Sequence, residues 1–351
     1  MLIVDSHLDI SMNSVDWNRD LNLEVDEIRR READMTQKGR GCNTLSLPEM
    51  HKAELFLSCA TVIDRTVWPD SIRPGSATQE ISYAKAQGQL ACYRLWERQG
   101  KIRMISDWPS LEAHYQDWLK RGSEAPLGFI LAMEGADPIV TPDQAASWYE
   151  DGLRIASIVH YGVSAYAYGT GLPGPLKPAG IELLKEMDRL GIILDLSHLA
   201  EEAFWQALDI YSGPVQASHN NCRALVPGDR QFSDDQLKAI VERDGVIGVA
   251  CDAWMLYPGW VIGETMPEVV DMEAVANHID HICQLAGNAD HVGIGSDLDG
   301  GYGTEQTPSD MDKITDLQHV QQLLQRRGYS SDDIENVMYR NWLRFFQRSW
   351  S

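Results

Sequence analysis

Six short runs of apolar residues in this chain each end at a histidine or a carboxylate side chain. They occupy residues 2–9, 129–134, 155–160, 192–198, 214–219 and 292–297. Buried parallel strands are short continuous hydrophobic runs, and in a (β/α)8 barrel the residues just beyond their carboxyl ends converge on one face. The recurrence therefore predicts one site that is assembled from several strand ends.

Amphipathic segments with helix start and stop signals lie between the apolar runs. We predict helices at residues 179–190, 200–211, 233–243, 272–285 and 330–346. Ser233 and Gln236 have the spacing of a capping box, and a glycine follows most of these segments. The alternation of strand and helix implies a parallel sheet. We therefore predict an α/β fold, a (β/α)8 TIM-type barrel, with residues 1–351 forming a single domain.

The least regular parts of the chain lie early in the sequence and between the strands. Two further strands are expected within residues 44–47 and 55–63. Inserts rich in glycine, proline and aromatic residues occupy residues 68–75, 161–178 and 254–267. Such inserts are expected to form loops over the mouth of the barrel, where lids and binding loops occur.

Charge and hydropathy exclude several classes of partner. The chain has 52 acidic and 30 basic residues and a net charge of −22, which argues against nucleic acids and anionic membranes as partners. A strand pattern begins at Leu2, which leaves no room for a secretory signal, and no apolar run is long enough to span a membrane. We therefore expect a soluble, cytoplasmic protein.

Three residues at the first two of these strand ends are candidate metal ligands. His7 and Asp9 are separated by one residue, so in an extended chain their side chains point the same way and can hold one ion. Glu134 follows a buried run, where a lone carboxylate is costly without a cation or hydrogen-bond partners. Its two oxygens could bridge two cations, although a helix-capping role is the alternative.

His198 and His219 each follow a serine at a strand end. Because neutral imidazole is the commonest nitrogen ligand of zinc and similar ions, they could bind a second ion. His160 also ends a strand and could be a ligand, a substrate contact or a loop anchor. Asp297 and Asp299 compete for one role in a glycine-rich turn, and Asp297 is preferred because it comes first after its strand.

These motifs together resemble the membrane (renal) dipeptidase family of metallopeptidases, peptidase family M19, in its bacterial branch, among the amidohydrolase-type barrels. The resemblance covers nearly the whole chain. It rests on residues 5–9 (Asp-Ser-His-Leu-Asp), Glu134-Gly135, His160, residues 187–198, Ser218-His219, Arg230 and residues 295–301 (Gly-Ser-Asp-Leu-Asp-Gly-Gly).

The resemblance implies a site with two divalent metal ions, preferably Zn²⁺, although manganese or cobalt suit the same ligands. Its implied metal ligands are His7 and Asp9 on one ion, His198 and His219 on the other, and Glu134 bridging both. It also implies that Asp297 is the catalytic proton shuttle, that His160 contacts the scissile carbonyl, and that Arg230 binds the substrate carboxylate.

The activity implied by the resemblance is zinc-dependent hydrolysis of small dipeptides by metal-activated hydroxide, with a D-residue tolerated at the carboxyl side, in a protein that is often a homodimer. The residues leave two alternatives open. One is the same binuclear barrel acting on another amide or ester, such as an N-acyl amino acid or a lactone. The other is a binding barrel without catalysis.

Overall fold

The computed structural model describes residues 1–68, 71 and 74–350, and they form a parallel β-barrel surrounded by helices. In chain order its strands are β1 (Ile3–Leu8), β2 (Leu55–Ile63), β3 (Ile102–Ile105), β4 (Leu127–Glu134), β5 (Ile155–Ala156), β6 (Ile193–Asp195), β7 (Val215–Gln216), β8 (Ile247–Val249) and β9 (Val292–Ile294).

The strand order is β7-β6-β5-β4-β2-β1-β9-β8, and all these pairs are parallel. A further parallel bridge, between Ala217 and Ile247, joins the two ends of this path and closes the barrel. Strand β3 pairs with the first half of β4, whereas β5 pairs with its second half. It is therefore an addition at the amino-terminal end of the barrel, and the predicted eight-stranded barrel is confirmed.

Helices cover the outside of the barrel. They are α1 (Ile10–Val15), α2 (Val25–Glu32), α3 (Leu47–Lys52), α4 (Gln79–Arg98), α5 (Trp108–Arg121), α6 (Ala145–Glu150), α7 (Pro178–Leu190), α8 (Glu201–Ile210), α9 (Asp234–Glu242), α10 (Glu273–Ala286), α11 (His319–Arg326), α12 (Ser331–Glu335) and α13 (Asn341–Ser349). The predicted helices between residues 179 and 285 match α7 to α10 with ends that agree to within two residues.

Local sequence signals set several of these helix ends. The Ser233 side chain accepts a hydrogen bond from Gln236 N, and the predicted capping box is present at α9. Gly191 and Gly287 end α7 and α10 in the left-handed conformation. The predicted terminal helix is interrupted, because a π-helical turn, Asn336–Arg340, separates α12 from α13.

One predicted strand is wrong, and one predicted loop is only partly described. The strand expected within residues 44–47 is wrong: the N–H groups of Thr44 and Leu45 bind the buried carboxylate of Asp299, and Ser46 caps α3. Part of the predicted loop at residues 68–75, namely residues 69, 70, 72 and 73, lies outside the described residues.

Close packing within and around the barrel requires glycine at two positions of the last strand and its end. A Cβ at Gly293 would lie 2.2 Å from the Trp342 indole nitrogen, which donates a hydrogen bond to Ile294 O at 3.1 Å. A Cβ at Gly295 would lie 1.8 Å from Ser218 O. The first contact docks α13 on β9, and the second brings the ends of β7 and β9 together. Among the described residues, no helix has the length and apolar character needed to cross a bilayer.

Candidate metal centre

The carboxyl ends of four strands bring three histidines to one glutamate. His198 Nε2 and His219 Nε2 each lie 3.1 Å from Glu134 Oε1 and 3.1 Å from one another. His7 Nε2 lies 3.5 Å from the same oxygen. All four side chains are buried. The structure therefore places these four predicted ligands around a single point at the mouth of the barrel.

Three more of the predicted residues lie at the edge of this cluster. Asp9 Oδ1 is 3.8 Å and Asp297 Oδ1 is 4.0 Å from His7 Nε2. His160 Nε2 is 3.7 Å from the second oxygen of Glu134. The hydroxyl of Thr61 donates a hydrogen bond to Asp9 and fixes that carboxylate.

The nitrogen and oxygen atoms of this cluster fit divalent cations because they have more lone pairs than protons to share. Burial, followed by nearby positive charge, lowers the pKa of both His198 and His219 well below the ordinary value, so both rings are neutral. Their Nδ1 atoms lie within 2.9 Å of the hydroxyls of Thr170 and Ser218, which can accept the ring protons. The Nε2 lone pairs then face a carboxylate. A cation bound by imidazole nitrogen and carboxylate oxygen, such as Zn²⁺, removes this repulsion.

His7 shows the same shortage of positive charge. Its buried Nε2 has no hydrogen-bond partner in the described part of the chain. Burial alone would lower its pKa, but the charges of Glu134, Asp9 and Asp297 raise it to about 10. Without a cation, a proton on this ring balances the carboxylates. A metal ion would take over that role.

The two aspartates at the site hold protons more tightly than ordinary carboxyl groups. Burial and the charge of Glu134 raise the pKa of Asp9 to about 6. Burial, together with the charges of Glu134 and Asp9, raises the pKa of Asp297 well above its usual value. A carboxyl group that exchanges a proton closer to neutral pH is suited to general acid and base chemistry.

Two buried aspartates beneath the cluster hold neighbouring strand ends in register. Asp5 accepts hydrogen bonds from the backbone of His7 and from the backbone and hydroxyl of Ser296, which ties β1 to β9. Asp195 accepts from Ser197 N and Ser218 N, which ties β6 to β7. Each tie fixes two of the strand ends that carry site residues.

One hydroxyl contacts two of the candidate ligands. Ser218 Oγ lies 3.1 Å from His7 Nδ1 and 2.8 Å from His219 Nδ1. Because a hydroxyl has two lone pairs, it can accept the Nδ1 proton of both rings at once. Both Nε2 atoms are then left to bind metal. Ser218 therefore has the geometry of an outer partner that orients both imidazoles.

Unusual backbone conformations coincide with the site. His198 and Asp297 have φ values of 69° and 58°, in the left-handed region that residues other than glycine seldom adopt. Strain of this kind clusters at functional sites. Asp299 has φ of 59°, but its carboxylate is occupied by Thr44 and Leu45. Of the two competing aspartates, only Asp297 therefore faces the cavity.

Arg230 lies beside the cluster rather than in it. Its side chain is buried, and its Nη2 donates a hydrogen bond to His219 O at 2.8 Å. Its Nη1 has no hydrogen-bond partner among the residues described. Arg230 is not among the residues that line the cavity, but its charge lowers the pKa of both His198 and His219, so it lies close behind them.

A cavity of about 600 Å³ opens above the cluster and includes residues that the sequence analysis did not select. Arg65 and Asp252 line it together with Glu134, His160 and Asp297. Arg65 follows β2 and Asp252 follows β8, so both come just beyond the end of a strand, as the predicted site residues do. The signal was present in the runs that end at Asp64-Arg65 and at Asp252.

Two histidines with suggestive spacing lie on helix α10, outside the cluster. His278 Nδ1 accepts a hydrogen bond from Cys222 N, and His281 Nε2 lies 2.8 Å from Asp234 Oδ1. Their contacts are those of a hydrogen-bonded helix face.

Comparisons with known proteins identify the family of this chain. Residues 1–349 match the family model described as membrane dipeptidase (Peptidase family M19). An uncharacterized dipeptidase of Schizosaccharomyces pombe is 30% identical over 226 residues, which are 63% of this chain and 53% of that protein. The chain thus spans about half the length of this curated relative.

Two solved structures share the fold. A metallopeptidase described as dipeptidase AC, family M19, has a TM-score of 0.81 and 24% identity over 100% of this chain and 99% of its own. A metallopeptidase of Rhodobacter sphaeroides has a TM-score of 0.79 and 24% identity over the same shares. Because the family match covers almost every residue, the chain belongs to the membrane dipeptidase family, Peptidase family M19.

Proposed function

We propose that this protein is a metal-dependent dipeptidase that uses two divalent ions, with zinc as the native metal. One observation carries the proposal: the Nε2 atoms of His198, His219 and His7 all lie within 3.5 Å of Glu134 Oε1, in a buried cluster at the ends of barrel strands. Family membership makes a dipeptide the first substrate class to test.

The ligands divide between the two ions by their position. His7 and Asp9, on β1 and just beyond it, would hold one ion, and His198 and His219, after β6 and β7, would hold the other. Glu134 Oε1 approaches histidines of both pairs, and this side chain would bridge the ions. When bound, the ions supply a Lewis acid for the substrate carbonyl and lower the pKa of water towards neutrality.

We assign to Asp297 the transfer of protons during hydrolysis. It lines the cavity 4.0 Å from His7 Nε2, where its carboxyl group would take a proton from the attacking water and give it to the departing amine nitrogen. Both steps need a carboxyl group that exchanges its proton under working conditions.

We assign to His160 the contact with the substrate carbonyl oxygen. Arg65 determines which ring nitrogen of His160 has the proton. Arg65 Nη1 lies 2.7 Å from His160 Nδ1. A guanidinium group only donates hydrogen bonds, so Nδ1 must accept, and the proton of a neutral ring is on Nε2. That N–H faces the metal cluster, where it can stabilise negative charge on the carbonyl oxygen.

Arg230 is assigned the free carboxylate of the substrate. A buried guanidinium with an unpaired nitrogen favours an anionic ligand, because planar forked donors match a carboxylate. A clamp of this kind selects dipeptides over long chains. The related protein from Rhodobacter sphaeroides is described as liganded with a phosphinate mimic of L-Ala-D-Ala, which supports a D-residue at the carboxyl side.

Metal analysis and a substrate panel test the proposal together. Purified protein should contain about two zinc ions per chain and should hydrolyse L-Ala-D-Ala or L-Ala-L-Ala, and chelation should abolish turnover. N-acetyl-alanine and a lactone are the controls. Turnover of a control alone would instead assign the barrel to another amide or ester, and a protein that never binds metal would contradict the proposal. The cytoplasmic location, the homodimer and the single-domain organisation stay predictions.

A further inference from the structure

Asp252 places a buried carboxylate in the wall of the cavity. It lies three residues beyond the end of β8 and is 5% exposed. Gln306 Nε2 donates a hydrogen bond to its Oδ1 at 2.7 Å, and Trp254 N donates to the same oxygen at 3.2 Å. The Trp254 side chain is a further hydrogen-bond partner of this carboxylate, which lines the cavity and can face a bound ligand there.

A buried carboxylate of this kind favours a cationic ligand, because an anion taken out of water is stabilised by a paired charge. The positive charge of Lys38 acts on Asp252, and the Lys38 side chain is exposed at the cavity. An exposed, flexible lysine is a weak partner. It leaves most of the attraction of Asp252 for a bound cation.

The cavity that Asp252 lines also has aromatic and apolar surface for the alkyl part of a long cationic side chain. Trp17, Trp254, Tyr302 and Ile262 line the same cavity. Aromatic faces attract cations, and lysine and arginine lay their alkyl stems along apolar surface while the charged end binds elsewhere. A cavity of about 600 Å³ also has more room than a dipeptide with two small side chains needs.

The position of Asp252 relative to Asp297 indicates which substrate residue it meets. The two carboxyl groups line one cavity. In the proposed function, Asp297 serves the departing amine, which belongs to the carboxyl-terminal residue. We propose that Asp252 selects dipeptides whose carboxyl-terminal residue has a positively charged side chain, such as lysine. This inference rests on the proposed function.

Paired substrates that differ only in charge test the subsite. Wild-type protein should hydrolyse L-Ala-Lys with a kcat/KM about 10-fold or more above that of L-Ala-norleucine, the range expected for a hydrogen bond between charged groups. Both stereoisomers of the second residue are assayed. In Asp252→Asn, the two values should come within about threefold of each other, on the same scale. Asp16→Asn removes another cavity carboxylate and should keep the preference.

Two kinetic results would overturn the subsite. One is a wild-type protein that does not distinguish lysine from norleucine. The other is an Asp252→Asn variant that keeps the full preference. A preference for L-Ala-Glu over L-Ala-Gln that disappears in Lys38→Met would give the selection to Lys38 instead, and would also contradict the proposal.

A binding measurement separates failure of the subsite from failure of the proposed function. Calorimetry of zinc-loaded Asp297→Asn protein should show tighter binding of L-Ala-Lys than of L-Ala-norleucine, and the added Asp252→Asn change should remove the difference. If no dipeptide is hydrolysed by the wild type but this difference persists, the proposed function fails and the cation subsite stands. Equal binding of the two dipeptides overturns the subsite.

Discussion

The cavity has a floor and a wall that are built in different ways. The floor is the cluster of His7, Glu134, His198 and His219, of which Glu134 and His198 line the cavity, and the wall includes Arg65, Asp252, Trp254 and Ile262. Floor residues are on strands or within three residues of a strand end, and their carboxylate and ring atoms are fixed by neighbouring side chains. Arg65 and Asp252 are equally close to the ends of β2 and β8, whereas Trp254 and Ile262 lie further along the segment that follows β8.

The difference separates chemistry from selectivity. A strand end cannot move without disturbing the barrel, so it suits ligands whose positions must be held within a few tenths of an ångström. A loop can change length and sequence at little cost to the core. We therefore expect floor substitutions to remove metal and turnover for every substrate, and wall substitutions to change which substrate is preferred.

The strongest test of the floor is Glu134→Gln. The amide keeps the shape of the side chain but removes the negative charge that faces three imidazole nitrogens. Metal content should fall, and turnover should drop by more than the ~100-fold that loss of an outer-shell partner causes. Elemental analysis and kcat measure the two effects. Glu49→Gln, which alters a buried glutamate away from the cavity, should keep both. Full metal occupancy in Glu134→Gln would contradict its assignment as a ligand.

Asp297→Asn should separate chemistry from metal binding. The side chain lies 4.0 Å from His7 Nε2 and is not assigned as a ligand, so metal content should stay at the wild-type level. Loss of the proton carrier should lower kcat by about 10²- to 10⁴-fold for all dipeptides alike. If the substitution changed only KM, or affected only one substrate, Asp297 would be assigned to substrate selection and not to proton transfer.

The floor could be predicted from sequence because each of its residues follows a hydrophobic run. Even β7, with only two paired residues, is visible as the run before His219. Arg65 and Asp252 also follow hydrophobic runs, and Asp252 is as far from the end of its strand as His198 and His219 are from theirs, so the same rule could have selected them. Trp254 and Ile262 could not be predicted in this way, since no periodicity shows which loop residues turn inwards. Residues 44–47 were misread as a strand because Asp299, distant in sequence, binds their N–H groups.

The hydroxyl of Ser218 tests how the floor is held. Ser218→Ala removes the acceptor shared by His7 Nδ1 and His219 Nδ1. We expect metal affinity to fall by about 10- to 100-fold, the usual effect of losing an outer-shell partner. Competition with a chelator measures the affinity without reference to turnover. Ser6→Ala is the matched control, since Ser6 Oγ is equally buried but binds Ser218 O and Ile294 O. Equal losses in the two variants would indicate general loosening of the barrel instead.

The smallest expected effect concerns a buried histidine outside both floor and wall. Burial lowers the pKa of His278 to about 3, so the ring is neutral in the folded protein. In the unfolded chain, a histidine binds a proton below about pH 6.5. The stability that the neutral ring provides is therefore complete above pH 6.5 and is lost as the pH falls towards 3. The loss is at most about 1.4 kcal/mol per pH unit.

His278→Asn keeps a side-chain acceptor for Cys222 N but cannot be protonated in this range. The free energy of unfolding, measured with urea between pH 7 and pH 4, should fall less steeply with acid in this variant than in the wild type. Metal content at pH 7 should be unchanged, because burial alone does not make a histidine a ligand: the floor histidines also face a carboxylate. A loss of metal in His278→Asn would remove the distinction between the floor and the rest of the buried histidines.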